Sequence, residues 1–455
     1  MPPRTNGIRE VVGEVLTPDF ALRFAHAVSK VVVPDRPIAI SRDARTSSPA
    51  LAGILGSTWL LEGRDVVDLG LLPTPAFQYA MPRTTAAFGV VVTASHNPAE
   101  YNGFKCVDER GRSISREIEE AIERGMQTPP DAAARYDRVG SEIPGPPAAS
   151  QYVDGVVGGV DRERISRRRF TVVLDCGNGV TAVTSPTILR RLGCRVISLN
   201  AHLDGRFPGR PSEPNEATLA PLAEVVRATG ADLGIAHDGD GDRTLFIDGT
   251  GRFVTGDRSL ALLARESVRV AKGGTVVTPV STSQVVEEVL EPLGGSVVYT
   301  PVGSRSLSAE VERTGAVLGG EENGGVIFPR WQLARDGAMT AAAFLDLLSA
   351  AQEPLTELVR KLPAYASVKS RVKCPSIQVE PVLSSVAQDL SQGASRVVTL
   401  DGWKFYTETG WVLLRASGTE PIIRVFAESR SVSHAQRLAD DAVARLQDRI
   451  GEARA

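Results

Sequence analysis

Asp238, Asp240 and Asp242 stand at i, i+2 and i+4 with glycines between them, in the stretch His237-Asp238-Gly239-Asp240-Gly241-Asp242-Arg243. In a locally extended chain the three carboxylates project to one side, and the glycines let the backbone bend their oxygens together. Three carboxylates this close repel one another unless a cation sits among them, and a hard divalent ion is the natural occupant. The spacing also matches the opening of a calcium-binding EF-hand. Its sixth position, however, is Arg243 instead of glycine, and its twelfth is Gly249 where a bidentate glutamate is needed, so that motif is excluded. The remaining alternative, an Asp-Gly turn with solvated charges, explains one such pair better than two in tandem. Arg243 suits a phosphate oxygen or a developing charge, or else merely balances the aspartates, and His237 reads as a satisfied histidine on the preceding strand.

A second stretch, Thr93-Ala94-Ser95-His96-Asn97-Pro98, follows the apolar run Phe88–Val92 and leads into Tyr101-Asn102-Gly103-Phe104-Lys105. Either Ser95 is a hydroxyl displayed at the end of a buried strand, or Ser95, His96 and Asn97 satisfy backbone groups in an ordinary turn. In an extended segment the adjacent Ser95 and His96 side chains diverge, so His96 is not expected to activate the hydroxyl. Lys105 serves as a general acid or base if it faces Ser95. Near the C-terminus, Arg415-Ala416-Ser417-Gly418-Thr419-Glu420-Pro421 combines an arginine, two hydroxyls and a glycine in a compact anion cradle, to which Arg424 adds a second fork. No Gly-Lys-Ser/Thr is present, which excludes a nucleotide P-loop. Glu321 and Asn323, set among glycines, offer acceptors and donors at a spacing that brackets neighbouring sugar hydroxyls.

These loops sit at equivalent points of a recurring unit. Ile38–Ile40 reads as a strand and is followed by a polar loop. A helix with Ser48 as N-cap and Pro49 at N1 comes next, then Gly63 and a strand at 66–69. The pattern returns at 171–197, through Ser185-Pro186 and Gly193, and again at 275–299, through Val285–Leu290 and Gly294. Each copy continues into another apolar strand that stops at Ser95, at the Asp238 loop or at Gly320-Glu321-Glu322-Asn323-Gly324-Gly325. Ligands of open α/β sheets bind outside strand ends, so the three loops are placed to converge. After about Pro363 the pattern changes to alternating segments with two helices, near 382–390 and 434–450, which predicts a small antiparallel sheet. The expected architecture is α/β, with three similar α/β domains of mixed sheets (1–150, 151–252, 253–363) and a C-terminal α+β domain (364–455), arranged around a central cleft.

Composition agrees with a soluble multidomain protein. At 455 residues the chain exceeds one hydrophobic core, and a prior of ~150 residues per domain gives three or four. The balance of 51 Lys and Arg against 54 Asp and Glu leaves no basic field for nucleic acid. No apolar run approaches the ~20 residues that span a bilayer, and the first thirty residues lack a signal-peptide core, so a cytoplasmic location is expected. Cys106, Cys176, Cys194 and Cys374 have no paired spacing and read as small buried apolar residues.

Taken together, the Thr93–Pro98, Asp238–Arg243, Gly320–Gly325 and Arg415–Arg424 stretches resemble the α-D-phosphohexomutase family, in the family's order and across essentially the whole chain. Glu321-Glu322-Asn323-Gly324-Gly325, with Arg335-Asp336-Gly337-Ala338-Met339-Thr340, looks most like archaeal members. The resemblance implies an isomerase interconverting hexose 1-phosphate and hexose 6-phosphate, with Ser95 as phosphoserine and hexose 1,6-bisphosphate as intermediate and activator. It implies one Mg²⁺ per chain held by Asp238, Asp240, Asp242 and the Ser95 phosphate, and catalytic support from Lys105, Arg243, His96 and Arg9. Glu321 and Asn323 would read the sugar, and Arg415, Ser417, Gly418, Thr419 and Arg424 would hold the distal phosphate. The implied substrate is a mannose or glucose phosphate, with glucosamine phosphate the alternative of the same mechanism and a Mg²⁺-dependent sugar phosphatase the alternative of another class. The chain departs from many relatives at Glu10, which replaces a glycine, at Asn323, where many have serine, and at Gly325, where several have histidine.

Overall fold

Two five-stranded sheets share one four-strand core, with the antiparallel edge strand entering before the core in the first and after it in the second. The first contains β1 (Ile8–Val11), β2 (Ile38–Arg42), β3 (Val66–Leu71), β4 (Phe88–Val92) and β5 (Tyr101–Asp108), in the order β1-β5-β4-β2-β3. The second contains β6 (Thr171–Asp175), β7 (Arg195–Leu199), β8 (Leu233–His237), β9 (Thr244–Asp248) and β10 (Phe253–Val254), in the order β10-β9-β8-β6-β7. In each, the first strand of the repeat, β2 or β6, pairs in parallel with both neighbours, and the chain then doubles back antiparallel, β4 against β5 and β8 against β9. A third copy of the parallel core is made by β11 (Gly274–Pro279), β12 (Gly295–Thr300) and β13 (Leu318–Gly320), in the order β12-β11-β13. The recurrence legible in the sequence is thus a repeat of topology, and loops 93–100 and 238–243 close the same hairpin in two sheets.

The computed structural model describes residues 7–33, 35–129, 133–417 and 421–452. They fall into two compact units, Asn6–Ser259 with Asn323–Arg360, and Leu260–Glu322 with Lys361–Ala455. The boundary between Glu322 and Asn323 falls within the 253–363 stretch.

In the first unit, helix Pro18–Val31 opens with Thr17, whose hydroxyl accepts from Phe20 N at 3.3 Å, and with proline at its first position. Its buried face brings Phe24 onto Phe104 of β5, ring centroids 4.3 Å apart. Helix Ser48–Leu61 corrects one expectation, because Ser47 occupies the cap position without a side-chain cap and Ser48 lies inside the helix. The physical reason is a stronger acceptor nearby, Asp43 Oδ1, to which the Ser48 hydroxyl donates at 2.7 Å. Residues 323–360 contribute β14 (Val326–Ile327) and helix Gly337–Ala351, whose Phe344 stacks on Phe246 of β9 at 4.0 Å. Asp336 caps that helix through Met339 N and also accepts from Tyr152, Trp331 and Gln332, so a single buried carboxylate fastens it.

In the second unit, β15 (Ala366–Lys373), β16 (Arg396–Val398), β17 (Trp403–Thr407), β18 (Gly410–Ala416) and β19 (Ile422–Ser429) form an antiparallel sheet in the order β15-β19-β18-β17-β16. Helices Val379–Ser391 and Val432–Glu452 cover one face, with Val386, Ala439 and Leu446 among the core residues packed with Val412, Ile423 and Val425. No helix among the described residues is long and apolar enough to cross a membrane.

Candidate active site

Ser95 is fully buried and adopts a left-handed backbone, φ +52°, rare for a residue with a Cβ. Its amide donates to Thr93 Oγ1 at 2.9 Å, and the Thr93 hydroxyl donates to Asp43 Oδ2 at 2.6 Å. Its hydroxyl donates to Asp238 Oδ2 at 3.2 Å, so two loops from equivalent hairpins meet at this atom. The left-handed turn also overturns the expected divergence of Ser95 and His96, since Ser95 Oγ lies 3.5 Å from His96 Nδ1. Burial, reinforced by the Arg243 and Arg9 charges, holds His96 far below the usual histidine range, so its ring is neutral. Gly239 is required here, because a Cβ at that position would stand 2.6 Å from the Ser95 carbonyl oxygen.

Asp238, Asp240 and Asp242 are buried, and one carboxylate oxygen from each lies within 4.8 Å of the others. Asp238 Oδ1 accepts from the backbone amides of Gly241 and Arg243, both at 3.1 Å. Asp240 Oδ2 accepts from Thr74 Oγ1 at 2.7 Å and Lys105 Nζ at 3.1 Å, while Asp242 Oδ2 accepts from Lys105 Nζ at 3.0 Å and Arg335 Nη2 at 2.6 Å. The other oxygens of the latter two, Asp240 Oδ1 and Asp242 Oδ1, are buried without a hydrogen-bond partner. Burial, together with Asp240 and Asp242, pushes Asp238 well above the carboxylate range. For Asp242 burial acts the same way, but Arg335, Lys105 and Arg243 outweigh it and hold the carboxyl well below that range. Buried hard oxygens without hydrogen-bond donors, on a crowded carboxylate trio, are the donor set a divalent cation of the Mg²⁺ type requires, and the residues fit one.

Arg243 reaches Glu213 Oε1 with Nη1 at 2.9 Å and keeps Nε buried without a hydrogen-bond partner. Arg9 Nη1 donates to Asn97 Oδ1 at 3.1 Å, which ties β1 to the serine loop. His237 Nδ1 faces Arg243 O, to which it can only donate, at 3.2 Å and Thr244 Oγ1 at 2.9 Å, its Nε2 is buried without a hydrogen-bond partner, and burial lowers it to about 4, so the expectation of a fully satisfied histidine holds at one ring nitrogen only. The structure therefore gathers Ser95, His96, Lys105, Asp238, Asp240, Asp242, Arg243 and Arg9 in the first unit. Asn323 also belongs to this unit, where its Oδ1 accepts from Gly325 N at 3.0 Å and shapes its own turn.

Glu321, Arg415, Ser417 and Arg424 belong to the second unit. Glu321 is buried after Gly320, whose carbonyl accepts from Thr278 Oγ1 at 2.9 Å. Arg415 and Arg424 are direct partners across β18 and β19, and Arg415 Nε is paired to Asp401 Oδ2 at 2.7 Å. Two arginines opposed across a ladder disfavour each other and favour an anion. Ser417 N donates to Ile422 O at 3.0 Å, while Gly418 and Thr419 lie outside the described residues.

Thr74, Asp43, Ser212 and Arg335 had carried no assignment of their own from the sequence. Thr74 opens helix Thr74–Ala80, while Asp43 of the polar loop after β2, Ser212 and Arg335 lie outside regular helices and strands, and all four are distant in sequence from the motifs they serve.

Family models described as phosphoglucomutase/phosphomannomutase alpha/beta/alpha domains I, II and III match residues 1–132, 150–251 and 255–365, and the C-terminal domain of the same family matches 357–445. The chain belongs to the phosphoglucomutase/phosphomannomutase family. It is similar to a phosphoglucomutase/phosphomannomutase of Thermococcus kodakarensis, 38% identical with 98% of each chain covered. It is also similar to a probable phosphoglucosamine mutase of Methanopyrus kandleri, 39% identical with 96% of each covered. Among solved structures, a phosphoglucomutase/phosphomannomutase family protein of Burkholderia thailandensis superposes with a TM-score of 0.86 at 29% identity, over 98% of this chain and 97% of that one. The family is one of isomerases, and its four-domain architecture of three α/β domains and a C-terminal domain is the one found here.

Proposed function

We propose that the chain interconverts hexose 1-phosphate and hexose 6-phosphate through phosphorylated Ser95, with hexose 1,6-bisphosphate as intermediate and activator. The observation that carries this is the buried Ser95 hydroxyl 3.2 Å from Asp238, inside a carboxylate trio with unpaired oxygens. The substrate hydroxyl oxygen bonds to phosphorus as the bond between Ser95 Oγ and phosphorus breaks, and the hydroxyl proton ends on Ser95 Oγ. Lys105 is assigned to pass that proton, and Arg243 to hold the transferring group's charge with its buried Nε. Asp238, Asp240, Asp242 and the Ser95 phosphate would hold one Mg²⁺, which supplies charge neutralisation for the phosphoryl group in flight. His96, held neutral, adds no positive charge beside the serine, and Arg9 fixes the loop through Asn97. Glu321 and Asn323 are assigned to the sugar, and Arg415, Ser417, Gly418, Thr419 and Arg424 to the phosphate that is not transferring. After the bisphosphate turns over, its other phosphate returns to Ser95, so burial of the serine guards the phosphoenzyme against water.

Mannose and glucose phosphates are the first substrates, in keeping with the name of the Thermococcus relative. The name of the Methanopyrus relative supports glucosamine phosphate at least as well. Incubating the protein with each of the three 1-phosphates, Mg²⁺ and a trace of the matching 1,6-bisphosphate decides the matter. Formation of a 6-phosphate supports the mutase and ranks the sugars, whereas release of inorganic phosphate alone points to a sugar phosphatase and overturns the proposal.

A further inference from the structure

Arg45 lies on the loop between β2 and helix Ser48–Leu61, and its side chain is 0% exposed. Nη1 donates to the carbonyls of Pro98 at 2.6 Å and Tyr101 at 2.8 Å. Nη2 donates to those of Ser95 at 2.8 Å and Asn97 at 2.6 Å. Nε faces Asp43 Oδ2 at 3.3 Å, and the Phe207 ring covers the guanidinium with its centroid 5.0 Å away. All four terminal N–H groups are thus spent on four carbonyls within one seven-residue stretch. A loop that turns its carbonyls inward is normally forbidden a dry interior, and here one planar cation satisfies it.

The geometry bears on Ser95 in two ways. In a trans peptide the C=O and N–H point oppositely, so binding the Ser95 carbonyl to Arg45 aims the His96 N–H away from Arg45. It also fixes the unfavourable φ of +52°, which places Ser95 Oγ beside Asp238. The loop that carries Phe207 holds the serine loop from a second direction, since the Ser212 hydroxyl reaches the carbonyls of His96 and Asn97, each at 2.7 Å. That approach is close enough to need Gly205, where a Cβ would stand 2.4 Å from Arg45 Cα.

We propose that Arg45, with Ser212, is a positioning residue for the phosphoryl-carrying serine: the two clamp the carbonyls of residues 95–101 and so hold Ser95 Oγ at its in-line place. The inference rests on the assignment of Ser95 above. A lysine offers three donors on a flexible stem and cannot span four carbonyls, so R45K keeps the charge and loses the clamp. The test compares wild type, R45K, R45A and S212A in uptake of phosphate at Ser95 from glucose 1,6-bisphosphate, followed by intact mass, and in steady-state turnover. A misplacement near 1 Å costs about 100-fold, so R45K is expected to lower the uptake rate and kcat by about that factor with KM unchanged. S212A is expected to lower them about 10-fold, and millimolar guanidinium to restore part of the R45A rate. Wild-type uptake and kcat in both R45K and S212A, with only a lower melting temperature, overturn the inference, and they decide it even where R45A does not fold. Absence of uptake in the wild type instead overturns the Ser95 assignment and the inference with it.

Discussion

The loops 93–100 and 238–243 close the same hairpin in two sheets that share one four-strand core, yet they meet the problem of inward-facing oxygens in different ways. The serine loop presents carbonyl oxygens to the interior, and Arg45 and Ser212 reach five of them, those of Ser95, His96, Asn97, Pro98 and Tyr101, with Asn97 reached by both. The aspartate loop presents carboxylates, and it stops short of satisfaction, with Asp240 Oδ1 and Asp242 Oδ1 buried without a hydrogen-bond partner and with Arg243 Nε, 3.9 Å from Asp242 Oδ1, as a nearby charge. A buried polar atom left unpaired costs about 1–3 kcal/mol, more when charged, so the second loop is unstable by itself in a way that the first is not. The lesson is a division of labour between equivalent positions. Under the proposed function, one copy is completed by the protein to hold Ser95 still, while the other is left incomplete for a cation.

The sharpest way to break this comparison is at Ser95. S95A should take up no phosphate from glucose 1,6-bisphosphate and show no mutase turnover, measured by intact mass and by 6-phosphate formation; retained turnover sinks the phosphoserine assignment. S95G should be equally inactive but more stable than S95A by about 1 kcal/mol in denaturant unfolding, because glycine adopts the left-handed φ without a Cβ penalty. Equal stability of the two would show that the loop relaxes once the hydroxyl is gone.

The next effect concerns the incomplete loop. Mg²⁺ at about 100 times its Kd should raise the stability of the wild type by about 2.7 kcal/mol, read as a shift in thermal unfolding. D238N should lose that shift yet keep its metal-free stability at or above that of the wild type. Burial beside two other carboxylates already disfavours the Asp238 charge, and an amide can still accept from Gly241 N and Arg243 N. A D238N protein that Mg²⁺ stabilises as strongly as the wild type would refute the metal assignment.

How much of this was legible in the sequence follows from how local each feature is. The triplet Asp238, Asp240, Asp242 and the strand-ending Ser95 are contiguous motifs, and the threefold strand–helix–strand recurrence is a pattern of short apolar runs, so both could be read directly. The antiparallel C-terminal sheet was equally visible, because period-two alternation belongs to each strand by itself. The approach of His96 to Ser95 was not legible, since a positive φ at serine comes from clamping by residues 50 and more positions away. Nor was the role of Ser48, whose proline neighbour suggested a cap while Asp43 took its hydroxyl. Thr74 and Arg335 escaped for the same reason, as their partners Asp240 and Asp242 lie 166 and 93 residues away.

Thr74 also supplies the mildest test of the contrast between the loops. Its hydroxyl donates to Asp240 Oδ2 at 2.7 Å, and its amide donates to Asp240 O at 2.9 Å, so it orients the carboxylate without belonging to either loop. Thr74→Val keeps the shape and the backbone bond and removes only the hydroxyl donor. A hydrogen bond to a charged group contributes about 1.5–3 kcal/mol, and outer partners of metal ligands typically account for about 10–100-fold in affinity. The variant should therefore bind Mg²⁺ about 10-fold more weakly, read from the concentration dependence of its thermal shift, while its phosphate uptake at saturating Mg²⁺ stays near wild type. The same substitution should leave the serine loop untouched, because Thr74 makes no hydrogen bond to residues 93–101 among those described. If uptake at saturating Mg²⁺ fell as far as it does in R45K, the two loops would be coupled through Thr74, and the division between a completed loop and a cation-completed one would not hold.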